Sequence, residues 1–124
     1  MENEATEELT LQLMFDRAWN GLKSQGWERC VRGILGDCVY RVTLEDGTVR
    51  HCAWGWVDKD SWPYGNVAFG QLSTPTAVAA RNITNACSLA RALQVAHDGG
   101  FTEMEGMEVR MRQVAARFKL KVPD

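Results

Sequence analysis

The stretch CVYRVTLEDGTVRHCAWGWVDKD, residues 38–60, decides how this chain folds. VYRVTL and TVRHCAW are rich in β-branched and aromatic residues, which suit a pleated, half-buried surface. Between them stands Glu45-Asp46-Gly47. A three-residue connection with glycine last is a common hairpin turn, a type I turn closed by a left-handed residue. In that register Leu44 pairs with Thr48, Tyr40 with Cys52, and Cys38 with Trp54. A two-residue Asp-Gly turn would instead set Cys52 opposite Arg41 and put Cys38 and Cys52 on opposite faces of the sheet. The register therefore governs whether these two thiols can meet.

Outward from the hairpin, the chain reads mostly as helix. Towards the N-terminus, Leu11, Phe15, Ala18 and Leu22 fall at helical spacing, with Met14 and Trp19 widening the stripe. They predict a helix from about Thr6 to Gln25, capped by Thr6, with Glu7 and Glu8 at the positive end of its dipole and Gly26 ending it in a left-handed conformation. Residues 27–37, WERCVRGILGD, carry two glycines and no clear period, and fit either a short strand or an irregular lead-in.

Past the hairpin, residues 58–74 form a turn-rich loop in which NVAFGQL has room for a short third strand. Thr74-Pro75 opens a second helix, expected to run to about His97 before Asp98-Gly99-Gly100. Its stripe is Ile83, Ala86, Cys87, Ala90, Leu93 and His97. Thr102-Glu103-Met104-Glu105 is a capping box for a third helix reaching about Phe118, with Met107, Met111, Val114 and Phe118 on its buried side. The expected fold is α+β in the order α-β-β-(β)-α-α: a small antiparallel sheet, a hairpin with room for a third strand, packed against three helices. Residues 1–124 read as a single compact domain.

Hydrophobic residues make up 45% and charged residues 24% of the 124, an ordinary globular balance, and the net charge of −2 gives no global pull towards nucleic acid or an anionic membrane. No apolar run approaches the ~20 residues that a bilayer crossing needs. MENEATEELT is acidic where a secretory signal is basic and then apolar. These features predict a cytoplasmic protein whose Cys30, Cys38, Cys52 and Cys87 are thiols rather than disulfides.

Cys38, Tyr40, Arg41, Asp46, Gly47, Cys52, Ala53, Gly55 and Trp56 together spell C-x-Y-R…D-G…C-A-x-G-W. This resembles a family of small proteins of bacteriophages, prophages and bacterial genomes. ALQVAHD, residues 92–98, resembles the family's L-Q-x-x-H-D element, and RQVAARFKLKVPD its closing helix. The likeness runs from about Gly21 to the C-terminus. Two departures stand out: Val57-Asp58-Lys59-Asp60 replaces the usual L-I-P-D, and the hairpin is longer. The resemblance implies a compact phage-type accessory protein and carries no catalytic assignment.

The chemistry-bearing residues are weighed against plainer roles. Structural zinc draws on tight ligand pairs such as C-x2-C, and none exists here; His51 and Cys52 are adjacent and on a strand point to opposite faces. Lone cysteines that pack as small hydrophobes explain the pattern more simply. Cys38 or Cys52 with His97 and Asp98 imitates a Cys-His-Asp arrangement. His97, however, also suits a helix end, and Asp98 a turn with Gly99-Gly100. Arg110, Arg112, Arg117, Lys119 and Lys121 make the last helix locally basic, which a solvated face obeying the dipole explains as well as a nucleic-acid contact does.

Five tryptophans are many for this length, and Trp54, Trp56, Trp62, Tyr64 and Phe69 cluster just after the hairpin. A small sheet cannot bury that many rings on one face, and tryptophan and tyrosine dominate binding hot spots. The plainer role is that all of them cap the core. The sequence thus predicts a non-enzymatic protein that binds a host or phage protein and modulates a host enzyme or defence system. Its expected contact residues are Tyr40, Arg41, Trp54, Trp56, Trp62, Tyr64 and Phe69, with no catalytic residue, metal, cofactor, membrane or nucleic acid. An open sheet edge also allows a homodimer. Two alternatives stay open: an enzyme or zinc protein centred on Cys38, Cys52 and His97, and a single-strand nucleic-acid binder using the C-terminal helix.

Overall fold

The computed structural model describes residues 9–28, 30–32, 37–38, 40–64, 69–98 and 106–123, of which 31–32, 37–38, 64 and 98 are described by backbone alone. The fold is α+β and mostly helical: five α-helices and two two-stranded antiparallel hairpins among the described residues.

The first helix, α1, spans Leu11–Ser24. The expected cap at Thr6 lies outside the described residues; Thr10 does the capping, its Oγ1 accepting from the Leu13 amide at 3.1 Å. Met14, Phe15, Ala18, Trp19 and Leu22 are fully buried, as their spacing requires. Gly26 ends the helix at φ +71°, and the Trp27 amide closes back on the Leu22 carbonyl at 2.9 Å.

Two hairpins follow. In the first, β1 (Val31–Arg32) pairs with β2 (Asp37–Cys38), which sets Cys38 opposite Val31. The second joins β3 (Arg41–Thr43) to β4 (Val49–His51) in the three-residue-turn register, with Arg41 opposite His51, Val42 opposite Arg50 and Thr43 opposite Val49. The Leu44 amide donates to Thr48 at 2.7 Å, the Cys52 amide donates to Tyr40 at 3.3 Å, and Gly47 takes φ +88°. Trp54 does not continue this ladder to face Cys38, because the chain turns at Cys52 into a short helix, α2 (Ala53–Val57). The Cys52 sulfur caps that helix by accepting from the Gly55 amide at 3.3 Å.

Among the described residues of 58–74 there is no third strand. Lys59–Tyr64 and Phe69–Gln71 are 3-10 turns, and residues 65–68 lie outside the described set. Pro63 lacks an amide donor, and glycine in this segment favours turns over a ladder.

The single helix expected over 74–97 is two. α3 (Pro75–Arg81) is capped by Thr74, and α4 (Ala86–Asp98) starts after a break at Asn82–Asn85. Asn85 adopts φ +69°, a left-handed conformation that asparagine tolerates and that stops helix propagation. Ala86, Ala90, Leu93 and His97 are buried as predicted, whereas Cys87 is exposed. The last helix, α5, is Met107–Phe118 with Gly106 at its N-cap and no side-chain capping bond; the proposed box at 102–105 lies outside the described residues.

The core gathers α1, Trp54 of α2, Leu89 and Leu93 of α4 and Met111 of α5. A buried tryptophan withdraws on the order of 200 Å² from water, a gross gain of about 5 kcal/mol. Burying Trp19 and Trp54 completely therefore binds α1 and α2 to one interior. Among the described residues, no helix is long and apolar enough to cross a membrane.

Candidate interaction site at the second hairpin

Two polar constructions organise this region, and between them they engage Tyr40, Trp54, Trp56 and Trp62. The first is built on His51. Its ring stacks on Trp62 with centroids 4.0 Å apart and meets Trp56 edge-on at 4.6 Å. Arg41 covers Trp62 with its guanidinium carbon 5.5 Å from the ring centroid. Burial holds the His51 imidazole below its ordinary proton affinity, and the cations of Arg41 and Lys59 add to the effect.

Gln25, the C-cap of α1, locks this stack from below. Its amide oxygen accepts from the His51 backbone at 3.0 Å and from the Trp56 indole at 3.0 Å, while its amide nitrogen donates to the His51 carbonyl at 2.8 Å. Trp56 presses on Gly21 of α1 so closely that a Cβ there would sit 2.1 Å from the indole. The Trp62 indole donates to the Gly55 carbonyl at 2.8 Å.

The second construction is built on Asp58, a buried carboxylate. It accepts from the Trp54 indole at 3.3 Å, from the Thr74 hydroxyl at 2.5 Å and from the Asp60 amide at 3.1 Å. Thr74 in turn caps α3, so one carboxylate ties α2, the 3-10 turn and α3 together. Tyr40 is buried beside it. Burial pushes the Tyr40 phenol well above the usual tyrosine range, with negative charge at Cys52 and Asp58 adding to the shift.

The hairpin edges differ from each other. Leu44–Thr48 and Tyr40–Cys52 are hydrogen-bonded pairs, so by antiparallel alternation Arg41, Thr43, Val49 and His51 turn their amides and carbonyls outward. At His51 both outward groups are taken by Gln25. On the β3 side the outward groups of Arg41 and Thr43 meet no partner among the described residues, and both side chains are exposed.

These placements redraw the expected contact surface. Tyr40 and Trp54 are interior and present nothing to a partner. Trp56, Trp62 and Phe69 are half-buried, Phe69 lying edge-on to Trp54 at 4.6 Å and under Arg81. Arg41 alone of the set is exposed; the Tyr64 side chain lies outside the described residues. The rings therefore organise the structure, and of the described side chains in this set Arg41 alone is presented at the hairpin rim.

No family model, curated protein or solved structure matches this chain. The site is thus read from its own geometry.

Among the described residues, no three His, Cys, Asp or Glu side chains converge as a metal site. His97 stands in the last turn of α4 and is fully buried, its Nε2 accepting from the Cys30 amide at 2.8 Å. That acceptor role requires a neutral ring. The Cys30 thiol donates to the Arg50 carbonyl at 3.2 Å. On the last helix, Arg110 donates to the Ala96 carbonyl at 2.7 Å, Arg112 meets Glu108 and the Trp19 ring, and Arg117 lies over Phe118. Those cations are engaged within the chain.

Sequence reasoning missed Gln25, His51 and Asp58 as organising residues. Gln25 left no periodic signal, being one position past the helix. His51 did: in the three-residue-turn register it faces Arg41, in the strand that leads directly into the tryptophans.

Proposed function

We propose that this chain is a small non-enzymatic accessory protein that works by binding another protein through its second hairpin, in keeping with the phage-type resemblance of its C-x-Y-R…D-G…C-A-x-G-W stretch. The carrying observation is Arg41, exposed at the rim of β3 with its guanidinium carbon 5.5 Å from the centre of the Trp62 ring, a ring that His51 holds by stacking on it. Arginine and tryptophan are the residue types that concentrate binding energy, and a pre-set side chain loses less freedom on binding. Trp62 is half-buried and already stacked on His51, which disfavours base stacking and with it the single-strand nucleic-acid alternative. Cys52 and His97 are buried and engaged, which disfavours an enzyme or zinc protein centred on Cys38, Cys52 and His97.

A photo-crosslinking residue placed at Thr43, compared with one at Val109 on the exposed side of α5, tests the proposal in lysate of the native host. A defined adduct from position 43, lost in Arg41→Glu and absent from position 109, is the expected result. Equal adducts from both positions, or none from position 43, would overturn it.

A further inference from the structure

The geometry points to an acidic, extended segment of the partner, docking as a third strand on the outer edge of β3 with its carboxylates beside Arg41. This rests on the binding function proposed above and names the chemistry of what binds. Three observations carry it.

The first is the asymmetry of the edges. An open strand edge is a template for another strand, and natural proteins cover or blunt such edges. Here β4 is covered at His51 by the Gln25 side chain, which imitates a neighbouring strand by taking both main-chain groups. β3 has no such cover: the outward amide and carbonyl of Arg41 and of Thr43 meet nothing among the described residues. Two residues with both groups outward offer four main-chain hydrogen bonds in register.

The second is charge. Arg41 has no acidic residue within ion-pair distance among the described residues, in contrast to Arg50 with Glu28 at 3.8 Å and Arg112 with Glu108 at 3.1 Å. Lys59 acts on the same histidine as Arg41, so two cations lie near this end of the hairpin. The acids of the hairpin, Glu45 and Asp46, lie in the turn at its far end, and Asp46 is occupied by the Thr48 amide at 2.9 Å.

The third decides against a second copy of this chain. A copy's β3 would bring Arg-Val-Thr, with no carboxylate in the strand, and antiparallel pairing about Val42 would place the two Arg41 side chains on one face. A carboxylate-bearing strand satisfies both the main chain and Arg41.

The probes are three blocked heptapeptides titrated into the full chain at low salt. One is Thr-Glu-Val-Glu-Val-Glu-Thr, the second replaces each glutamate by lysine, and the third is the acidic peptide N-methylated at alternate amides. Binding and amide hydrogen exchange are followed by NMR. The acidic peptide is expected to bind at least tenfold tighter than the lysine peptide and to slow exchange at Arg41 and Thr43. The Val49 amide, on the other edge, should be unchanged. N-methylation should abolish binding, and Arg41→Glu should reverse the charge preference.

Equal binding of the methylated peptide would overturn strand addition. Equal binding of the lysine peptide would overturn the acidic assignment. A concentration-dependent dimer that protects Arg41 and Thr43 without peptide would replace the partner by a second copy. The peptide result is separate from the crosslinking result: a position-43 adduct with no strand protection would leave hairpin binding standing and remove only this mode.

Discussion

The Gln25 side chain holds both main-chain groups of His51, accepting from its amide at 3.0 Å and donating to its carbonyl at 2.8 Å. One residue at the end of α1 thereby fixes the end of β4, and through the Trp56 indole it fixes α2 as well. Gln25→Ala removes these bonds together. At about 0.5–1.5 kcal/mol net per hydrogen bond, a loss of roughly 2–3 kcal/mol is expected. Gln25→Glu should recover only part of this, since a carboxylate can keep the bonds from the His51 amide and the Trp56 indole but cannot donate to the His51 carbonyl. Urea unfolding followed by tryptophan fluorescence checks both variants.

Glycine positions separate close packing from open space. A Cβ at Gly55 would lie 2.4 Å from the Tyr40 carbonyl, a backbone atom that cannot swing aside, whereas one at Gly70 meets nothing within 4 Å. Gly55→Ala should cost about 1–3 kcal/mol or more, the usual range for overpacking, while Gly70→Ala should be near neutral. Thermal unfolding of the two variants side by side distinguishes them. A tolerated Gly55→Ala would mean that α2 does not approach Tyr40 as described.

The hairpin and α1 were legible because local chemistry determined them: β-branched flanks about Gly47, and the Phe15–Leu22 stripe; the register stayed open in the sequence, because Asp46-Gly47 suits a two-residue turn as well as the three-residue turn that forms. Two features were hidden for physical reasons. Thr74-Pro75 and the apolar spacing concealed the break at Asn82–Asn85, since the buried stripe continues in phase across it. The aromatic surface was overestimated because a small sheet looked unable to bury the rings that follow the hairpin, Trp54, Trp56, Trp62, Tyr64 and Phe69, on one face. The rings are instead accommodated by α2, a helix of five residues inside what read as a strand end, which carries Trp54 into the core and Trp56 onto Gly21. Asp58 was invisible because its partners Trp54, Asp60 and Thr74 come from three different elements.

Asp58 joins those elements by accepting every bond it makes through its carboxylate. Asp58→Asn keeps the shape but turns an NH2 group towards donors, so at least one of the bonds from Trp54, Thr74 or Asp60 is lost in a buried place. Hydrogen bonds to a charged group are worth about 1.5–3 kcal/mol, and a stability loss of that order is expected. Thr74→Ala should remove the same bond and the cap of α3 together, and the double variant should be less damaging than the sum of the two. A double-mutant cycle by denaturant unfolding measures that coupling; strict additivity would show that the two residues do not act on one another.

The stack around His51 predicts how stability depends on pH. In the folded chain, burial and the nearby Arg41 and Lys59 hold the imidazole below its ordinary value of 6.5, whereas the unfolded chain keeps that value. Between the two values the unfolded state binds more protons, so stability rises with pH there. The contribution is complete above about pH 6.5 and is lost as the pH falls below it towards the folded value. His51→Phe keeps an aromatic ring between Trp62 and Trp56 but removes the titration. Wild-type chain should therefore lose more stability than His51→Phe on going from pH 7.5 to pH 5.5, as read by the change in Tm. His97 is common to both proteins, so the difference reports position 51. If the two chains lose stability in parallel, the imidazole is not held neutral between the tryptophans.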